Sequence, residues 1–314
     1  MSSDARTRAY YPALNALGLI IMIFGLLMSF PLVVSAWLGD GATLAYDQGL
    51  FVTFVAGLLL WAATRSKRRD LRVHDGFLLV AATWVVLPVF GSLPLMAYIP
   101  ELGFTDAYFE AVSGLTATGA TVLSGLDELP ISINLWRTFM HWVGGMGVIV
   151  LVVAILPLLG IGGRQLYKAE VPTPMKDSSL TPRIAETAKG LWLTYVLLTV
   201  SCGFSLWWVG LEPWDAVIHA FSVAGLGGFS NRDASLGHFD SVGVELVTIG
   251  FALLAGLNYA THYLALVRRS SAPYRRDPEI PFYFGVLALS TAMLTVYLLA
   301  QGVFTDVGEA LRYV

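Results

Sequence analysis

Residues Glu110 to Thr121 read EAVSGLTATGAT. The stretch begins as a short apolar helix and runs out into small residues around Gly119. Crossing ~30 Å of hydrocarbon takes ~20 apolar residues in a helix, and the apolar run here is about half that. Residues His219 to Ser230, HAFSVAGLGGFS, lie over it without a gap. Ala111 matches Ala220, Ser113 matches Ser222, Gly119 matches Gly228, and Thr121 has its like in Ser230. Upstream, Asp106-Ala107 matches Asp215-Ala216. Each copy sits between two long apolar segments, so the repeating unit is span, short re-entrant helix, glycine turn, span. Repetition at fixed spacing is a fold signal in itself. Glu309-Ala310 aligns with Asp215-Ala216 as the start of a third copy, and the expectation is a longer protein whose third re-entrant helix is cut at Val314.

The remainder of the chain supplies the membrane. Of 314 residues, 56% are hydrophobic and 13% charged, against roughly 25% charged in a soluble domain. This composition implies an all-α integral membrane protein built as one continuous domain. The N-terminal MSSDARTRAYYPALNALG reads as a polar tail before a first span, not a signal peptide, because no cleavage site closes the apolar stretch. Runs long enough to span fall at 14–38, 49–64, 75–98, 136–160, 187–210, 241–267 and 280–302. Basic loops at 65–72, 164–189 and 268–276 alternate with acidic or mixed ones. The positive-inside rule places the basic loops and the N-terminus in the cytoplasm. That alternation requires 104–130 and 212–240 to enter and leave on the outer side. Irregular backbone at membrane depth exists only where protein or water covers it, so the re-entrant segments imply a cavity or pore.

A short helix that ends inside the membrane turns the negative end of its dipole inward. Glycine allows the backbone beyond it to take left-handed dihedrals. Backbone carbonyls turned to a common axis replace the water shell of a dehydrated cation. The side chains are then free to vary while Gly119 and Gly228 stay. Four such loops surround an ion; this chain carries two and begins a third. Acidic residues of the outer loops (Asp106, Glu110, Asp127, Glu128, Asp215, Asp233) are expected to concentrate cations at the mouth.

SGLTATGAT (113–121), LWRTFMHWVGGMGVIVL (135–151), AILPLLGIGGRQLYKAEVP (154–172), LTPRIAETAKGLW (180–192) and AGLGGFSNRD (224–233) together resemble the Trk/Ktr family of bacterial potassium uptake systems, in its TrkH-like branch. The resemblance covers most of 75–314. It implies repeated span–pore helix–span units of potassium-channel type around a central pore, four in one polypeptide after an extra helical hairpin. Residues 1–74 would hold the hairpin, 75–160 the first repeat, 161–186 a cytoplasmic loop, 187–267 the second repeat, 268–279 a second cytoplasmic loop and 280–314 the start of a third. The family's filter positions carry over to Ala117, Thr118, Gly119 and Ala120, and to Leu226, Gly227, Gly228 and Phe229, as backbone ligands of K+. The stretch shown departs from the family in lacking the third filter, the interrupted helix that gates the pore, and the fourth repeat. The resemblance further implies potassium uptake across the bacterial inner membrane, a homodimer with one pore per protomer, and contact with a cytoplasmic nucleotide-binding regulatory subunit, for which 164–189 is the longest available loop. A potassium symporter coupled to protons or sodium, and a non-conducting structural or sensory subunit, are the alternatives.

Other features carry less. With a net charge of −3 there is no basic face for nucleic acid. Gly160–Gly163 and Gly225–Gly228 lack the strand–turn–helix context of a phosphate loop, and Gly162-Gly163 reads as a helix end. No nucleophile, base and orienting group assemble, so an enzyme is not expected, nor a cofactor other than the transported ion. The five histidines lack metal-ligand spacing, and Cys202, alone in an apolar run, reads as a core residue. Gly144, Gly145 and Gly147 suit close helix packing, with a gating hinge as the alternative. Arg137 and His141 are expected to be interface anchors, with Arg137 snorkelling to the outer surface and His141 bonded to backbone. His219 replaces Glu110 in the second copy, either behind the filter or at the pore mouth. Asn258 and His262, one turn apart in the 241–267 span, suit either pore lining or an interhelical bond.

Overall fold

The computed structural model describes residues 10–65, 73–145, 147 and 181–314, which are helices and their connecting turns. It divides into two units, Met1–Gly256 and Leu257–Val314. Five helices among the described residues have the length and apolarity to cross a membrane.

In the first unit, α1 (Tyr11–Leu27) and α2 (Ser29–Leu38) together form one 28-residue apolar stretch, broken at Met28. Gly39, left-handed at φ +65, closes it. α3 (Thr43–Thr64) returns along α1. The two helices touch backbone to backbone, because Gly18 of α1 faces Gly57 of α3 and a Cβ on either would meet main-chain atoms at 2.7 Å. Small residues facing each other this way are how membrane helices gain packing contact. Asn15 adds hydrogen bonds from Nδ2 to the Trp61 carbonyl and the Thr64 hydroxyl, each 3.1 Å.

The two repeats follow. In the first, α4 (Val73–Gly91) contains Pro88 and continues as α5 (Leu93–Tyr98). α6 (Phe104–Leu115) then packs against both α4 and α7 (Ile131–Gly145). In the second, α8 (Thr181–Trp208) precedes α9 (Pro213–Ala224), which packs against α8 and α10 (Val242–Ala255). α6 and α9 each have 12 residues and carry their acid, Asp106 or Asp215, in the first turn. α9 also packs on α7, which joins the two repeats. Phe24, Met28, Tyr46, Leu115, Ile133, Trp136 and Met140 are buried at the heart of the hairpin and first repeat. A smaller core holds Cys202, Leu206, Ala216, Ala220 and Val244 in the second.

The second unit comprises α11 (Tyr259–Arg268), α12 (Ala272–Arg276), α13 (Glu279–Ala300) and α14 (Val307–Tyr313). The sequence pattern predicts one span over 241–267, but α10 ends at Ala255 and a new helix starts at Tyr259. The cause is local: the Asn258 side chain accepts a hydrogen bond from the Ala260 N–H and caps α11. His262 shares a 2.8 Å hydrogen bond with the Tyr274 hydroxyl. The two polar residues are therefore a cap and a local bond. α14 opens in the register of α6 and α9, with Glu309 in its first turn, Ala310 buried and Asp306 capping it. The span read over 136–160 begins at Ile131, and its half beyond Gly147 lies outside the described residues, as do the basic loop over 164–180 and Gly162-Gly163.

Candidate ion-binding site

α6 and α9 end in the same way. The Thr118 N–H bonds to the Ser113 carbonyl and the Ala117 N–H to Gly114; at the matching positions Gly227 bonds to Ser222 and Leu226 to Val223. This crossed pair is the Schellman helix end, whose turning residue is left-handed. Here that residue is Ala117 (φ 53) or Leu226 (φ 55). A left-handed non-glycine residue costs roughly 1–2 kcal/mol, and both repeats bear it at the same place. Two residues on, Gly119 (φ 77) and Gly228 (φ 90) are left-handed again, while Thr118 and Gly227 between them are not. Each loop therefore alternates in backbone handedness over three residues. The loops also touch: a Cβ on Gly119 would fall on the Gly227 carbonyl oxygen.

One strut, built from two different chemistries, holds each loop to its helix. In the first repeat the Thr121 hydroxyl donates to the Glu110 carboxylate at 2.9 Å, and the Val122 N–H donates to Glu110 Oε2 at 3.2 Å. In the second, His219 Nδ1–H donates to the Asp215 carbonyl at 2.7 Å, which leaves Nε2 to accept from the Ser230 hydroxyl at 3.0 Å. Glu110 and His219 are both buried, so His219 sits behind the loop, not at a pore mouth.

Arg137 overturns the reading of a snorkelling anchor, since it is fully buried. Its five N–H groups face four acceptor atoms, with Glu110 Oε1 contacted twice. Nε and Nη2 reach Glu110 Oε1 at 2.8 and 2.7 Å. Nη1 bonds to Asn134 Oδ1 and to the Ser230 carbonyl, each at 3.0 Å, and Nη2 to Thr121 Oγ1 at 3.1 Å. A guanidinium is retained in an apolar interior only when its charge and donors are satisfied. The sequence carried one signal for this pairing: Glu110 and Arg137 are opposite charges within apolar elements of one repeat, and such charges pair. His141, one turn on, is also buried; its ring stacks on Phe229 with centroids 4.1 Å apart.

The outer acids are likewise engaged. Asp233 accepts the Gly125 and Leu126 N–H groups, and Asp127 accepts the Asp233 N–H at 3.1 Å. Arg232 bridges Asp127 and Asp215 at 3.3 and 2.8 Å. The Asp233 amide holds the Asp127 carboxyl below its ordinary range, with the Arg232 charge adding to it. Glu110, Asp127, Asp215 and Asp233 thus serve as structural ties between and within the loops; Glu110 and Asp215 are buried and so do not stand at an open mouth, while Asp127 and Asp233 remain exposed. α7 lies close beneath both loops, since a Cβ on Gly144 would strike the Leu115 carbonyl and one on Gly145 would meet Gly225 at 2.6 Å.

Repeated re-entrant helices that end in paired, strut-backed loops between membrane-spanning helices define a pore-loop membrane protein. Comparison with known proteins gives the family: the model of TrkH, a cation transport protein, matches residues 44–307, and this chain belongs to that family. The Trk system potassium uptake protein TrkH of Escherichia coli K12 is 46% identical over 290 residues, 92% of this chain and 60% of that protein. TrkG of the same organism is 37% identical over 281 residues, 89% of this chain and 58% of that protein. The crystal structure of the potassium transporter TrkH from Vibrio parahaemolyticus superposes with a TM-score of 0.81 at 39% identity, covering 96% of this chain and 62% of that one. The chain therefore spans about three-fifths of the length of these relatives.

Proposed function

We propose that this chain serves potassium uptake across a membrane. The two loops at Ala117–Ala120 and Leu226–Phe229 supply two quarters of a carbonyl-lined selectivity filter. The observation that carries this reading is the alternation of handedness at 117–119 and again at 226–228. In a strand of uniform handedness successive carbonyls point to opposite sides; alternating handedness turns them to one side, as coordination of a dehydrated cation needs. The side chains agree with a backbone role: Phe229 is buried and Leu226 half exposed. Relatives named as potassium uptake proteins point to the same ion. A monovalent cation entering through 100 mV gains ~2.3 kcal/mol, enough to drive uptake without coupling. Homodimerisation, a cytoplasmic nucleotide-binding regulatory subunit and residence in the bacterial inner membrane with the N-terminus inside accompany this reading as proposals.

The test is a reversal-potential measurement on the full-length protein in liposomes under K+ and Na+ gradients. A potential that follows the K+ gradient supports the reading. A dependence on the proton or sodium gradient reassigns the protein to coupled symport, and absence of flux makes it a non-conducting subunit.

A further inference from the structure

The second loop is also held from the first repeat. Arg137 Nη1 donates to the Ser230 carbonyl at 3.0 Å while the same guanidinium is locked on Glu110 of the first re-entrant helix. Its Cζ lies 4.4 Å from the centre of the Phe229 ring. His141 stacks on that ring with an interplanar angle of 19°. The imidazole also stands where a Cβ on Gly227 would be, so it backs the main chain directly. Arg137 and His141 sit one turn apart on α7, and both are fully buried. From residue 227 to 230, one carbonyl, one ring and one Cα position of the second loop are set by these two side chains. The second repeat contributes the His219 strut at Ser230 and the Gly227 N–H bond to the Ser222 carbonyl.

We infer that Arg137 and His141 are positioning residues for ion selection, which fix the second loop's carbonyls in register with the first loop's. This rests on the filter reading above. A guanidinium held on Glu110 at one edge and on the Ser230 carbonyl at another makes the two loops one rigid body. Selection between ions of equal charge depends on how rigidly and how densely the carbonyls are placed, so loosening this brace changes selectivity before it abolishes flux.

The experiment compares K+/Na+ permeability ratios in liposomes for the full-length protein and four variants. Thermal melting in K+ against Na+ serves as a second readout, because an ion bound to the folded state raises its melting temperature. Arg137→Lys keeps the charge opposite Glu110 but loses the fork to Ser230, and it is expected to lower the ratio at least tenfold. His141→Ala and Phe229→Leu, which remove the stack, are expected to do the same. His141→Phe, which keeps an aromatic ring against Phe229, is expected to hold the ratio within threefold of the parent. A merely structural role would lower the melting temperature equally in both ions and leave the ratio alone. Parent selectivity in Arg137→Lys, His141→Ala and Phe229→Leu would overturn the inference while leaving the filter reading intact. A parent protein with no preference for K+ in either readout would instead remove the filter reading. If one variant fails to fold, the other two decide.

Discussion

Gly119 and Gly228 are equivalent by repeat and unequal by environment. Both are left-handed, so an alanine at either strains the backbone by roughly 1 kcal/mol. Only Gly119 has the neighbouring loop's carbonyl where a Cβ would go; Gly228 has nothing within 4 Å among the described residues. Gly119→Ala is therefore expected to cost more K+/Na+ discrimination than Gly228→Ala, by at least threefold in permeability ratio, measured as bi-ionic reversal potentials. Equal losses would mean that dihedral strain, not contact, is what matters. The buried charges give a second residue-scale prediction. Breaking one partner of a buried ion pair costs about 3–5 kcal/mol, so Glu110→Gln is expected to destabilise the protein by that order in denaturant titration. His219→Gln, in a neutral strut, is expected to cost about 1 kcal/mol, the worth of one hydrogen bond.

At the scale of elements, α6 and α9 were legible because their equivalence is written in shared positions such as Ala111/Ala220 and Ser113/Ser222. What joins them was not. Asp127 and Asp233 look like ordinary outer-loop acids in sequence, and each spends its carboxylate on the other loop's backbone. Their tie is expected to depend on pH with a definite sign. The Asp127 carboxyl is held below its ordinary value of 3.8 by the Asp233 amide. A depressed pKa contributes stability above the unfolded value, and that contribution is lost as pH falls through the folded one. Melting temperature is therefore expected to be insensitive to this group between pH 7 and 5, where its contribution is fully present, and to fall with its loss in the acid range below the ordinary carboxylate pKa. Asp127→Asn is expected to flatten that acid limb; an unchanged limb would assign it to other carboxylates. The break at Asn258 belongs here too. Asparagine before a helical run is a common N-cap, a signal that the long apolar stretch around it outweighed.

For the molecule as a whole, sidedness is a prediction that the charges make and chemistry can check. Cys202, the single cysteine, is fully buried, so a cysteine placed on the surface would be labelled over little background. Cysteines at Asp127 and His238 are expected to react with an impermeant maleimide in intact cells, and one at Arg275 only after permeabilisation. Labelling of all three from outside would refute the positive-inside assignment. Membrane class and the two re-entrant segments follow from the sequence alone, because apolar length and charge asymmetry act locally and need no knowledge of neighbours. The positions of the loop glycines follow too, since a left-handed turn restricts residue type at one site. The tertiary structure alone decided that Arg137 is a buried hub, that Glu110 and His219 are alternative struts, and that the outer acids tie loop to loop. Each of these depends on which distant group fills the space beside a polar side chain. In a low-dielectric interior that neighbour determines whether a charge is a surface anchor or a brace, and one-dimensional spacing does not contain it.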